Sequence, residues 1–195
     1  MNKLFILLAL LVFSIQVQAQ NPSGPPPPED SNRGYIVKVG DPAPARLQMK
    51  LTDGEVTSLK ALKGKVIVLQ LTASYCSVCR EKFPHLEAEI WQPLKNENFV
   101  MIAVDRDEPL KTALKFKKDI GITYPMSLDP GANIFALFAQ RQSGISRDIV
   151  IDQNGRIAFL SRLYDPAEVH RMLLTIKDLL NNPPQLNGRA SEISL

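Results

Sequence analysis

Cys76 and Cys79 are the only two cysteines of the chain, and their spacing suits redox chemistry. One sulfur, as thiolate, attacks a disulfide, and the second attacks the resulting mixed disulfide to release the product. A structural bridge is a poor use of this pair, because structural disulfides in exported domains tie distant segments together whereas this one closes a very short loop. Half of a zinc site has the same look, but zinc takes about four ligands. The other soft donors are His85 and His170, six and ninety-one residues past Cys79, and both read as helix-surface residues. We expect no metal and no cofactor.

A reactive thiol must be presented by something rigid, and the flanking sequence supplies it. Val66 to Thr72 is a nearly continuous apolar run of strand length, the pattern of a central strand covered on both faces. The cysteines follow it directly. After Cys79, Phe83, Leu86, Ile90 and Leu94 recur at helical spacing, with Pro84 expected to kink the helix rather than abolish it. Cys76 thus stands at a helix start, where free amide N–H groups and the partial positive charge of the helix favour thiolate over thiol.

Upstream, Arg46 to Leu51 and Glu55 to Leu59 flank the turn dipeptide Asp53-Gly54 and read as a hairpin. Downstream, Phe99 to Val104 predicts a second buried strand, Leu110 to Ile120 a charged helix, and Asn133 to Gln140 a shorter helix. Thr123-Tyr124-Pro125 and Asp129-Pro130-Gly131 read as turns. Asp148 to Asp152 and Arg156 to Leu160 flank Asn154-Gly155, a strong hairpin signal. Asp165-Pro166 opens a last helix whose inner face is Val169, Met172, Leu173, Ile176 and Leu180.

The ends read differently. Met-Asn-Lys, an apolar run from Leu4 to Phe13, and a small-residue pattern closing on Ala19 predict a signal peptide over 1–19. The run is shorter than the roughly 20 residues that span hydrocarbon, so no membrane anchor is expected once it is cleaved. Residues 20–34, rich in proline, predict an extended linker, 35–180 the folded domain, and 181–195 a flexible tail. With 195 residues and 45% hydrophobic content, one domain is the expectation. A formal charge of +3 is too balanced to imply nucleic acid, and Lys111, Lys115, Lys117 and Lys118 read as the solvated face of a helix.

Several motifs together resemble the TlpA/ResA-type thioredoxin-like proteins: Gly40-Asp41-Pro42-Ala43-Pro44, Leu62-Lys63-Gly64-Lys65, Ser74 through Pro84, and Asp148 through Gly155. The resemblance covers about Val39 to Leu180. It implies an α/β fold of thioredoxin type, a central mixed sheet flanked by helices with an N-terminal hairpin and a helical insertion. It also implies a periplasmic or otherwise exported location and dithiol–disulfide exchange, as a reductase, with protein partners and a redox donor that the sequence does not name. We expect a monomer.

Departures from the family pattern mark the supporting positions. Tyr75 replaces the usual Trp before the first cysteine, and Val78 replaces the usual Pro between the two. Gln70 stands where thioredoxins carry a buried acid near the second sulfur, and a neutral amide relays no proton. Three residues after the second cysteine, where the cytochrome-maturation branch often has Glu, this chain has Lys82; Glu81 comes one earlier, about 100 degrees away around a helix. The family's Gly-Ile-Pro loop, with its cis proline, reads Gly144-Ile145-Ser146. A non-proline cis bond costs about 3–4 kcal/mol, so either the loop holds its shape under strain or the groove is altered. The altered loop leaves a second reading open, a redox-inactive or metal-binding module of the same fold. Peroxide reduction is disfavoured because Ala73 occupies the position where that chemistry uses Thr.

Overall fold

The computed structural model describes residues 33–184. The expected signal peptide, nearly all of the expected linker, and the part of the expected tail beyond 184 lie outside the described residues. Arg33 and Gly34, assigned above to the linker, belong to the folded domain. Arg33 pairs with Glu168 at 2.7 Å, and Gly34 O accepts from Gln140 N at 3.0 Å.

The chain builds a seven-stranded sheet in the order β2-β1-β5-β4-β3-β6-β7. Its strands are β1 Gln48–Leu51, β2 Val56–Ser58, β3 Val66–Thr72, β4 Phe99–Arg106, β5 Met126–Asp129, β6 Arg147–Ile151 and β7 Ile157–Arg162. β3, β4 and β5 run parallel, while β6 pairs antiparallel with β3, and β1 with β5. The helices are α1 Ser77–Leu86, α2 Gln92–Leu94, α3 Leu110–Ile120 and α4 Pro166–Asn181.

Every residue of β3 is buried, which is why its sequence is apolar on both parities. Val66 and Val68 face one apolar layer, packed with Cys79, Phe83, Phe116, Met172 and Ile176 of α1, α3 and α4. Ile67, Leu69 and Leu71 face the other, with Met49, Phe135, Phe138 and Ile149. This alternation places Gln70, Thr72, Asp105 and Asp148 on the α1 side of the sheet.

The helix after the cysteines passes Pro84, widens into a π turn over Glu87–Trp91, and ends at Leu94. α3 stops at Gly121, whose φ of 72° is the left-handed conformation that a glycine adopts without steric cost. α4 starts as expected: the Asp165 side chain accepts from Ala167 N at 2.9 Å, with Pro166 in first place.

Two expectations need correction. Between the two turns the sequence reading left no element, yet Met126–Asp129 is a strand joining β4 to β1. It is short and is bounded on both sides by proline turns, which masked it. The helix expected over Asn133–Gln140 is absent; in its place are single 3-10 turns at Pro130–Ala132 and Phe135–Leu137. The Asp129 carboxylate accepts from Ile134 N and Phe135 N at 2.7 and 2.9 Å, capping the amides at the start of a turn that ends at Leu137.

Candidate active site

β3 ends at Thr72, and four residues later Cys76 caps α1. Its backbone is extended, with φ −86° and ψ 102°, and its Sγ accepts from Cys79 N at 3.2 Å. A sulfur thus fills the position usually taken by a serine or aspartate oxygen, so electron density on Cys76 Sγ meets a free amide of the first turn. The two sulfurs are joined as a disulfide. Cys79 is fully buried in the α1-side layer, Cys76 is partly exposed, and the Tyr75 ring beside it is 67% exposed.

The loop carrying Cys76 is fixed from both sides. The Glu108 carboxylate accepts from Ser74 N and Ser74 Oγ, both at 2.6 Å, and Arg80 Nε donates to Ser74 O at 2.9 Å. The Arg80 guanidinium lies 4.9 Å from the centre of the Phe116 ring. Directly across from Thr72 on β4 is Asp105, fully buried. Burial, followed by the nearby Glu108 carboxylate, pushes the Asp105 carboxyl up to about 8. Neither Asp105 oxygen has a partner of normal geometry, and the shift comes first from burial and then from the Glu108 carboxyl, which shares a hydrogen bond with protonated Asp105 and repels its charged form.

Deeper in, Gln70 is fully buried, and its Oε1 accepts from the Tyr124 hydroxyl at 2.5 Å. Burial holds that phenol well above its ordinary value. Gln70 stands opposite Asp148 in the β3–β6 register. Asp148 forms an ion pair with Lys82 at 2.7 Å, with both side chains essentially inaccessible. Lys82 Nζ also donates to Leu163 O at 3.0 Å, and Ser161 Oγ donates to the same Asp148 oxygen.

The structure thus separates the expected positions. Cys76, Cys79, Tyr75 and Gln70 lie on one strand–turn–helix unit. Glu81 points to solvent, away from this group, while the next residue, Lys82, turns inward beside Cys79 on the buried face of α1. The Ile145–Ser146 peptide is trans. Ser146 is buried with its carbonyl accepting from Leu163 N at 3.1 Å, and Ile145 packs against the same apolar layer as Cys76.

Lys82, Asp148, Asp105 and Glu108 were not foreseen as site residues. For Lys82 a signal existed, because it falls on the Cys79, Phe83, Leu86 stripe of its helix, where a charge requires a partner. Among the described residues no cluster of three or more His, Cys, Asp or Glu is placed to hold a metal ion. His85 is exposed, stacks on Tyr164 at 5.1 Å and approaches Glu89 at 3.1 Å; His170 is exposed on α4. No helix of the described residues is long and apolar enough to cross a membrane.

Comparison with known proteins agrees with this geometry. A solution structure from Bacteroides thetaiotaomicron, described as a candidate protein disulfide isomerase, is 46% identical and superposes with a TM-score of 0.73 over 76% of this chain and 93% of that one. The thioredoxin domain of a thiol-disulfide oxidoreductase from Bacteroides vulgatus, 20% identical, superposes with a TM-score of 0.58 over 70% of this chain and 99% of that one, which establishes a thioredoxin-like fold. The thiol-disulfide oxidoreductase ResA of Halalkalibacterium halodurans is 30% identical over 105 residues; the match spans 54% of this chain and 58% of that protein, little more than half of each. The Redoxin family model matches residues 38–176, so this chain belongs to the Redoxin family.

Proposed function

We propose that this chain is a thiol–disulfide oxidoreductase that reduces disulfides of protein partners, with Cys76 attacking and Cys79 resolving. The observation that carries this reading is the cap itself: Cys76 Sγ accepts from the Cys79 amide at the start of α1, partly open to solvent, while Cys79 is sealed beneath. Thiolate is favoured at the first position and access is denied at the second. The exposed ring of Tyr75 offers a partner a flat apolar contact beside the reacting sulfur. Ile145 and Ser146, joined by a trans peptide, take the place of the family's Ile-Pro loop, with Ile145 packed against the same apolar layer as Cys76. The oxidised pair is returned to dithiol by a separate donor.

The leader over 1–19, the linker to the domain, and a chemistry that requires stable disulfides in its partners support export to the periplasm or beyond. We assign the working form as a monomer.

The reading is tested by alkylating the reduced protein under limiting reagent and mapping the modified cysteine. Cys76 should react first, and Cys79→Ser should accumulate a mixed disulfide with a substrate protein while Cys76→Ser accumulates none. Equal or reversed labelling overturns the assignment of the two roles.

A further inference from the structure

Among the described residues, three other than glycine hold the left-handed backbone conformation: Asp107, Ala132 and Leu163, with φ of 60°, 53° and 66°. Two have a local reason. Asp107 is a residue type that tolerates this conformation, and its carboxylate accepts from Gly131 N at 2.9 Å. Ala132 is small and buried in the apolar layer with Phe135 and Phe138. Leu163 has neither reason: a bulky side chain, 49% exposed, stands where bulk is disfavoured. What the fold uses is its backbone. Leu163 N donates to Ser146 O at 3.1 Å, and Leu163 O accepts from Lys82 Nζ at 3.0 Å. A glycine makes both bonds without the strain. We infer that the Leu163 side chain serves the partner rather than the fold: it receives an apolar side chain of the partner's disulfide-bearing segment and so selects substrates. This inference rests on the exchange reaction proposed above.

The register of the sheet places Leu163 within reach of such a segment. Leu71, Arg147 and Arg162 stand side by side on β3, β6 and β7, so the next row at this end of the sheet is Thr72, Ser146 and Leu163. Neighbours in a row are roughly 5 Å apart, which puts Leu163 roughly 10 Å from the end of β3. Cys76 follows that end by four residues. Tyr75, 67% exposed, precedes the reacting sulfur, and the half-buried Ile145 precedes the middle residue of the row. The surface offered to a partner here is therefore apolar. A segment bonded to Cys76 through its own cysteine advances about 3.3 Å per residue when extended, so a side chain two or three positions from that cysteine comes within reach of Leu163. The occupant is an extended protein segment with an apolar side chain at that distance from its cysteine.

Two short peptides test this, alike except for leucine or serine three residues to either side of a single cysteine, each joined through that cysteine to 5-thio-2-nitrobenzoate. Cys76 of the reduced full chain attacks the peptide sulfur, the new disulfide forms, and the coloured thiolate leaves, which stopped-flow absorbance records. Wild type should react about tenfold faster with the leucine peptide, the gain expected from burying part of one apolar side chain. In Leu163→Gly the ratio of the two rates should fall to within about twofold, while the melting temperature equals or exceeds that of wild type because the strain is gone. Leu163→Met, apolar again, should restore most of the ratio. A loss of selectivity without a loss of stability is a result that a structural role for the side chain does not produce.

Equal rates of wild type with the two peptides overturn the proposal. A full ratio surviving in Leu163→Gly assigns the selection to Tyr75 or Ile145 and likewise overturns it. So does a lower melting temperature with both peptides slowed alike, which marks the side chain as part of the fold. Failure of wild type to release colour from either peptide, and from 5,5′-dithiobis(2-nitrobenzoate), which carries no peptide segment, overturns the exchange reaction itself, a result distinct from all of these.

Discussion

Two carboxyl groups are buried on the α1 side of the sheet, on opposite sides of β3, and they meet burial in different ways. Asp148 on β6 stands across from Gln70 and has the Lys82 ammonium at 2.7 Å and the Ser161 hydroxyl on one oxygen. Asp105 on β4 stands across from Thr72, has no cation and no hydrogen-bond partner of normal geometry, and is near the Glu108 carboxylate. The first keeps a charge by matching it; the second avoids one by holding its proton up to about 8. The same side chain at similar depth becomes one half of an ion pair or a neutral acid according to what α1 and the β4–α3 connection bring near it.

Removing the cation should make the two sites alike, and this is the largest effect we expect. Lys82→Met strands the Asp148 carboxylate and should cost about 3–5 kcal/mol at neutral pH in denaturant titration. Protonation removes the stranded charge, so the deficit should shrink on acidification. A loss under about 1 kcal/mol, independent of pH, would show that the pair contributes little to the fold.

Asp105→Asn tests the other side. The folded carboxyl keeps its proton to about 8, whereas the unfolded one releases it near 3.8. Between these values the folded state binds more protons than the unfolded, so this group's contribution falls as pH rises through that window and levels off above it. The asparagine variant should lack this slope and be more stable than wild type by about 1–3 kcal/mol at pH 8, with little difference at pH 4. Melting temperatures across this range settle it; a variant less stable at pH 8 contradicts the assignment.

The smallest effect belongs to Glu108→Gln, which removes the like charge near Asp105 but keeps an acceptor for Ser74. Because burial is the larger cause, Asp105 should titrate only modestly lower in carboxyl-detected NMR. The change in stability should be about 1 kcal/mol or less. A return of Asp105 to the ordinary carboxylate range would make charge, rather than burial, the dominant cause.

Much of this molecule is legible in one dimension because its signals are local. The all-apolar Val66–Thr72 run, the helical spacing from Cys79 onward, the Leu110–Ile120 helix and the Asp165-Pro166 cap each follow from the period of apolar residues or from a cap within one turn, and each appears where the pattern places it. A cysteine pair at a strand-to-helix junction is therefore determined by sequence alone. β5 was hidden because four residues between proline turns form a strand only when β4 and β1 supply edges to pair with.

The polar groups around the cysteines were decided only by the tertiary structure. Lys82 and Asp148 are 66 positions apart, and Ser74 and Glu108 are 34 apart. No period or spacing relates such residues, and an acidic side chain looks the same in sequence whether it meets an ammonium, a carboxylate or water. The charge state of a buried group is set by desolvation and by charges within a few ångströms through space, and only the packing of α1 on β3, β4 and β6 brings those charges into place.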